Sequence, residues 1–238
     1  MTEQSYPKNA ATVILLRRQS GGGFESFMTR RPDQMKFLGG MYVFPGGTVR
    51  KEDCTEGVLK RCRGLTPQEA QNIVGPTLSP EICLGHWVAA VRELFEEVGI
   101  LLCVTETGEL LKMAEERRDR AAERRLALIK GEIDFQSFLE SESLLCNLTQ
   151  LAYFSHWQTP HEFGMRFNTR FYLAELPLDQ EPLPNSQEVT HGLWLTPERS
   201  LQLCEQGKLP LIFPTFACLR RLADFDTLES LAAEYGWG

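Results

Sequence analysis

An α/β fold is what this sequence predicts, and three stretches predict it. Ala11 to Arg18, ATVILLRR, is a β-branched apolar run that the glycines at 21 to 23 break, with Phe24 to Arg30 placed to return as its hairpin partner. Pro80 to Val98 keeps a helical period and has both ends marked in sequence. Met165 to Ala174, MRFNTRFYLA, alternates as a strand does. Strands and helices thus interleave along 238 residues, 42% hydrophobic and 24% charged, enough to bury a core as one domain over residues 1–238.

After the hairpin, Arg30, Arg31 and Lys36 flank a turn at Pro32-Asp33, and a short strand from Met41 to Phe44 delivers the Pro45-Gly46-Gly47 loop. Glycine has no Cβ to obstruct a ligand, so Gly46 and Gly47 let the main chain come close to one; the alternative is an ordinary strand-to-loop turn. Between about 54 and 79, Thr66-Pro67-Gln68-Glu69 is a capping box with Pro at N1, so a short helix over about 67–73 is expected, as helical decoration.

Further on, Thr107 to Ile129 reads as a charged helix. Its Arg117, Arg118, Arg120, Arg124 and Arg125 are interleaved with Glu109, Glu115, Glu116, Asp119 and Glu123, which favours a solvated, salt-bridged face over a phosphate-reading patch. Phe135 to Phe154 continues as helix or mixed segment into His156-Trp157-Gln158-Thr159-Pro160. In the strand at 165–174, Arg166 and Arg170 point to one face and Phe167 and Phe171 to the other; the two arginines either clamp a diphosphate or form a surface ladder. Glu188-Val189 and Gly192-Leu193-Trp194 read as a final strand, Pro197 opens the helix after it, and Asp226 with Glu229 caps a last helix. Additional helices therefore occupy about 107–150 and 197–235.

Composition excludes several classes. A net charge of −7 and a pI near 5.3 argue against a nucleic-acid surface, yet allow a phosphate substrate if a bound cation changes the local sign. The seven cysteines are odd in number and lack CxxC pairs, which predicts reduced thiols in a cytoplasmic protein, not a disulfide framework or zinc site. Neither a signal peptide, a membrane span nor a peroxisomal tripeptide is legible, and a homodimer is left open.

The chemistry concentrates in the helix at 80–98. Ser79 is its N-cap, Pro80 its N1 residue and Gly99 its stop. Cys83, Trp87, Ala90, Val91, Leu94 and Val98 form an apolar stripe, and Glu93, Glu96 and Glu97 share a neighbouring one at i, i+3, i+4. Adjacent like charges repel, so either the face is solvated or a hard divalent cation compensates it; oxygen-only ligands suit Mg²⁺ or Mn²⁺.

Phe44-Pro45-Gly46-Gly47 followed by Arg92-Glu93-Leu94-Phe95-Glu96-Glu97-Val98-Gly99-Ile100 resembles the Nudix box. Gly47 fits its first glycine and Asp53 falls where the family usually has Glu. Asp53 and Arg92 are 39 residues apart where the pattern has 8, so about 31 residues are inserted within the box. The Trp-x-Thr-Pro segment before an Arg-Phe-Asn-Thr strand, with Asn168 in place of Asp, resembles a long-insert Nudix branch that includes peroxisomal CoA diphosphatases. Met28-Thr29-Arg30 partly echoes a CoA-diphosphatase signature.

The resemblance implies an α/β/α sandwich with a mixed sheet and a hydrolase that cleaves a diphosphate linked to another moiety. It implies Glu93, Glu96 and Glu97 with Gly47 at Mg²⁺ or Mn²⁺ and Arg92 orienting a carboxylate; Gly46, Gly47 and Arg30 are candidate substrate contacts, joined by Arg166 and Arg170 if the strand pair is a clamp and not a surface ladder. CoA or acyl-CoA is the favoured substrate class; ADP-ribose, NADH and dinucleoside polyphosphates stay open, as does a Nudix-fold ligand-binding module without catalysis. His86, two turns before Glu93, is either packed or within reach of the site, and His156, His161 and Glu162 are local-base candidates of lower rank.

Overall fold

The computed structural model describes residues 6–35, 37–183 and 191–237. Lys36 of the predicted turn and Glu188-Val189 of the predicted final strand lie outside them. β1 (Lys8–Arg18) and β2 (Phe24–Arg30) form the expected hairpin, Leu16 opposite Ser26 and Arg18 opposite Phe24. β3 (Tyr42–Val43) follows. The Gly-Gly segment is a strand and not a loop: β4 (Gly46–Thr48) pairs antiparallel with β1, Gly47 opposite Ala11.

The insert holds α1 (Glu56–Leu59), β5 (Cys62–Arg63) and α2 (Pro67–Val74). Its capping box is formed in full, the Glu69 N–H donating to the Thr66 hydroxyl and the Thr66 N–H to the Glu69 carboxylate. It is more than decoration, because Val58 and Ala70 are buried in the main core and β5 joins a second sheet. α3 (Pro80–Val98) has the expected ends: Ser79 accepts from the Ile82 N–H, Pro80 stands at N1, and Gly99 takes the left-handed conformation at φ 78°.

β6 (Cys103–Thr105) comes next. The charged helix starts later than expected, as α4 (Glu115–Ile129), because the chain first reverses at Gly108, φ 87°, and returns the Glu109 N–H to the Thr105 hydroxyl. The 135–154 stretch divides into α5 (Phe135–Ser141), β7 (Leu144–Asn147) and the start of β8 (Ala152–Gln158), the break falling at Ser143, φ 53°. β9 (Phe167–Glu175), β10 (His191–Leu195), α6 (Pro197–Glu205), α7 (Phe213–Leu222) and α8 (Leu228–Tyr235) complete the chain. The cap of α8 is Thr227 with Ser230, not Asp226 with Glu229, since the helix begins one residue later and the Thr227 hydroxyl takes the Ser230 N–H.

The main sheet has the order β10-β2-β1-β9-β8, with β3 beside β2 and β4 beside β1. β1 and β9 are parallel and the other pairs antiparallel, so the sheet is mixed. Because side chains alternate along a strand, Ala11, Val13 and Leu15 of β1 with Tyr172 and Ala174 of β9 pack on α3, while Ile14, Leu16, Phe171 and Leu173 pack on α7 and α8 through Leu219, Leu222, Leu228 and Leu231. The result is an α/β/α sandwich. On its outer side α3 is covered in turn by α5, where Phe95 stacks on Phe138 at 4.9 Å between ring centroids. The helix is therefore buried on nearly every face, its acids included. A second sheet, β5-β7-β6, flanks this body.

Candidate active site

Glu93, Glu96 and Glu97 are 7%, 7% and 6% exposed, which rules out a solvated acidic face. Buried carboxylates need compensation, and Arg92 of the same helix supplies the largest part. Its guanidinium, also buried, donates from Nε and Nη2 to the two oxygens of Asp53 at 2.8 Å each. Nη1 reaches Glu93 at 2.6 Å and Glu96 at 3.1 Å, and Nη2 also meets the Thr48 carbonyl at 2.9 Å. Asp53 makes the pairing although it is one methylene shorter than the usual Glu, because the short 3₁₀ turn Glu52–Cys54 carries its main chain inward and the Arg50 N–H holds one oxygen at 2.8 Å. Burial disfavours the Arg92 charge, but the Asp53 hydrogen bonds and the charges of Glu93, Asp53 and Glu96 outweigh it and raise its pKa.

Two basic residues at this site were not among the predicted ones. Arg50 grips both oxygens of Glu96, at 3.0 and 2.8 Å, and lies only three residues beyond Gly47, so its place in the box was a signal. Arg125 was read as part of a solvated face and is instead buried, with Nε and Nη2 donating to the Glu96 and Glu97 carbonyls at 3.0 and 2.7 Å. These carbonyls belong to the last turn of α3, where intrahelical partners run out. Arg120 and Arg124 approach Glu142 at 3.4 and 3.7 Å, a residue beyond the helix and absent from the predicted interleaving.

β4 supplies the opposite wall. The Gly46 N–H donates to Glu97 at 3.1 Å, and a Cβ on Gly47 would stand 2.5 Å from the Glu93 carboxyl carbon. A Cβ on Gly46 would meet the Ala11 carbonyl oxygen at 2.4 Å, so both positions require glycine for close approach.

Three carboxylates, Asp53, Glu93 and Glu96, share the guanidiniums of Arg92 and Arg50, and Glu97 beside them accepts from the Gly46 N–H. Burial and the Glu96 charge raise the pKa of Glu93 against the pull of Arg92 and Arg50. An oxygen-only donor set of this kind fits a hard divalent cation. Among the described residues no three His, Cys, Asp or Glu side chains converge as ligands, because Glu96 is turned onto Arg50 and Arg92 and Glu97 onto Gly46.

The other predicted residues divide. Arg170 lies on β9 facing α3, in one register row with Gly47: Gly47 is opposite Ala11, and Ala11 opposite Arg170. It is 3% exposed, its Nη1 donates weakly to the Asn168 carbonyl at 3.5 Å, and its Nε has no partner. Burial lowers its pKa. Arg166 precedes β9 and donates to the Thr159 carbonyl at 3.2 Å, while Arg30 is forked onto Asp33 at 3.2 and 2.6 Å. His86 is packed: its Nδ1–H donates to the Ala10 carbonyl at 3.1 Å, and burial, reinforced by Arg170, pushes its pKa down to about 3. His156 pairs with the Asn168 side chain at 2.5 Å, and His161 and Glu162 stand exposed 3.8 Å apart.

Residues 7–222 match the family model described as the NUDT19 Nudix domain. An acyl-coenzyme A diphosphatase NUDT19 of Xenopus laevis is 24% identical, over 95% of this chain and 72% of that protein. The Homo sapiens acyl-coenzyme A diphosphatase NUDT19 is 26% identical over 88% of this chain, and a putative nudix hydrolase 7 of Caenorhabditis elegans 27% identical over 93%; the matched part spans 63% of each of those two proteins. Among solved structures, a NUDIX hydrolase from Alicyclobacillus acidocaldarius is similar with a TM-score of 0.76 at 25% identity, over 96% of each chain.

Proposed function

Because this chain belongs to the NUDT19 Nudix domain family, we propose that it is a metal-dependent diphosphatase that cleaves the diphosphate of coenzyme A or an acyl-coenzyme A. The observation that carries the proposal is the buried cluster on α3, where Arg92 fixes Asp53, Glu93 and Glu96 and the carboxylates still outnumber the guanidiniums. Glu93, Glu96 and Glu97, with the Gly47 main chain, would hold Mg²⁺ or Mn²⁺. When bound, the ion would supply neutralisation of the phosphate oxygens and a lower pKa for the attacking water.

The chain's own residues do the rest. Arg92 holds the Glu93 and Glu96 carboxylates in position, and Arg125 holds the turn that carries Glu96 and Glu97. Arg50 occupies Glu96 with a charge that a bound cation would replace. One of the three glutamates accepts the proton of the attacking water at a carboxylate oxygen. Arg170, buried with an unpartnered Nε, meets a phosphate oxygen of the substrate, with Arg166 and Arg30 as further basic contacts along its length.

The substrate class rests on the names that the Xenopus laevis and Homo sapiens relatives carry and on Met28-Thr29-Arg30. The seven free thiols support a reducing, cytoplasmic setting. Among the described residues no helix is long and apolar enough to cross a membrane.

The test is a panel of CoA, acyl-CoAs, ADP-ribose, NADH and dinucleoside polyphosphates with Mg²⁺ or Mn²⁺, the products identified by mass. The proposal expects CoA or an acyl-CoA to be split into two phosphorylated fragments. Preferential cleavage of ADP-ribose, NADH or a dinucleoside polyphosphate would replace the substrate class, and binding without turnover would replace the enzyme reading.

A further inference from the structure

Three cysteines that are scattered in sequence come together in the second sheet. Cys62 on β5 stands opposite Cys146 on β7, and Cys146 opposite Cys103 on β6, so the three thiols form one row on one face of the sheet. The Cys62 thiol donates to the Val58 carbonyl at 3.5 Å. Cys103 and Cys146 are buried, whereas Cys62 keeps part of its surface. β5 and β7 run parallel, and neighbouring strands lie about 4.7–4.9 Å apart, within the Cα span of about 4.4–6.8 Å that disulfides need.

We propose that Cys62 and Cys146 are an oxidative modification site, at which a hydroperoxide converts the two thiols into a disulfide that ties the insert to β7. Cys62 Sγ gives up its proton and attacks one peroxide oxygen. The O–O bond breaks, an alcohol leaves (water, when the oxidant is hydrogen peroxide), and Cys62 becomes a sulfenic acid. Cys146 Sγ then attacks the Cys62 sulfur; the S–O bond breaks, and the hydroxide leaves as water with the proton that Cys146 releases. Two thiols and one hydroperoxide give one disulfide, one alcohol and one water.

Cys62 takes the first step because it alone of the three residues is only partly buried, and Cys146 resolves it because it is the direct cross-strand neighbour. Contact with the neighbouring thiol and burial hold both protons firmly, so the reaction is slow and hours of exposure are appropriate.

The experiment exposes the full chain to hydrogen peroxide, alkylates the remaining thiols, and maps unreduced peptides by mass. The expected product is lighter by two hydrogens, contains a Cys62–Cys146 linked peptide, and returns to two alkylatable thiols after dithiothreitol. Cys103→Ala should keep the link and Cys62→Ala should abolish it. Full alkylation of Cys62 and Cys146 in the peroxide-treated protein, Cys62 recovered only as sulfinic or sulfonic acid, or a Cys103–Cys146 link in its place would overturn the proposal. The native-chain map decides without any variant and without any enzymatic assay.

Discussion

Replacing Asp53 by Asn tests how the acid cluster is held together. Asp53 and Arg92 are each 1% exposed, and their fork consists of two bonds of 2.8 Å, so solvent screens the pair little. Asn keeps the shape, removes the charge, and turns an NH₂ toward a guanidinium that can only donate. Removing one partner of a buried ion pair costs about 3–5 kcal/mol. The low end applies, near about 3 kcal/mol, because Arg92 retains Glu93, Glu96 and the Thr48 carbonyl. At about 2–4 °C per kcal/mol for a chain of this size, the melting temperature should fall by about 6–12 °C. Asp53→Glu keeps the charge but forces an extra methylene into a filled site, for about 1–3 kcal/mol. Urea and thermal unfolding of both variants in EDTA measure these losses. A loss of under about 1 kcal/mol for Asp53→Asn would refute the claim that this fork organises the site.

Three further predictions follow from the same geometry. Arg125→Gln leaves the Glu96 and Glu97 carbonyls without their buried donors, so it should cost about 1–3 kcal/mol and weaken Mn²⁺ binding, with partial recovery in Arg125→Lys; unchanged Mn²⁺ titrations would remove its positioning role. Arg170→Ala should raise KM by the loss of a charge-assisted contact worth about 1.5–3 kcal/mol while Mn²⁺ affinity holds, and Arg166→Ala should do so less; intact kinetics in both would leave them as structural residues. Burial and Glu96 raise the Glu93 pKa, so the metal-free protein gains from Glu93 protonation at low pH and loses that stability as pH rises through the raised value. Metal binding needs the deprotonated form, so the stabilisation by Mn²⁺, read from paired melts in EDTA and in Mn²⁺, should widen over the same rise in pH; a constant gap would contradict it.

The sequence made α3 legible because its information is local: a Ser-Pro start, a Gly stop, and acids at helical spacing all sit within one element. β1, β2 and β9 were legible for the same reason, through alternation and β-branching. Contacts made across long separations were not. Arg125 looked solvated because its partners are main-chain carbonyls 28 and 29 residues earlier, which no charge pattern records. β5, β6 and β7 are two to four residues long, too short to show a period, so the second sheet and its row of thiols went unseen. The Gly-Gly stretch read as a loop because glycine weakens any strand signal, although close approach to Ala11 and Glu93 is what demands glycine there.

The most direct test of the central claim is the turnover of Glu97→Gln with Mn²⁺ on whichever substrate the native protein cleaves. The change is nearly isosteric, and the Gln side-chain oxygen can still accept from the Gly46 N–H, so the fold and its melting temperature should change little. Loss of a charged oxygen ligand should weaken Mn²⁺ binding and remove most of the activity. Native turnover and native Mn²⁺ affinity in a folded Glu97→Gln protein would contradict the assignment of α3 as the metal-binding, catalytic helix.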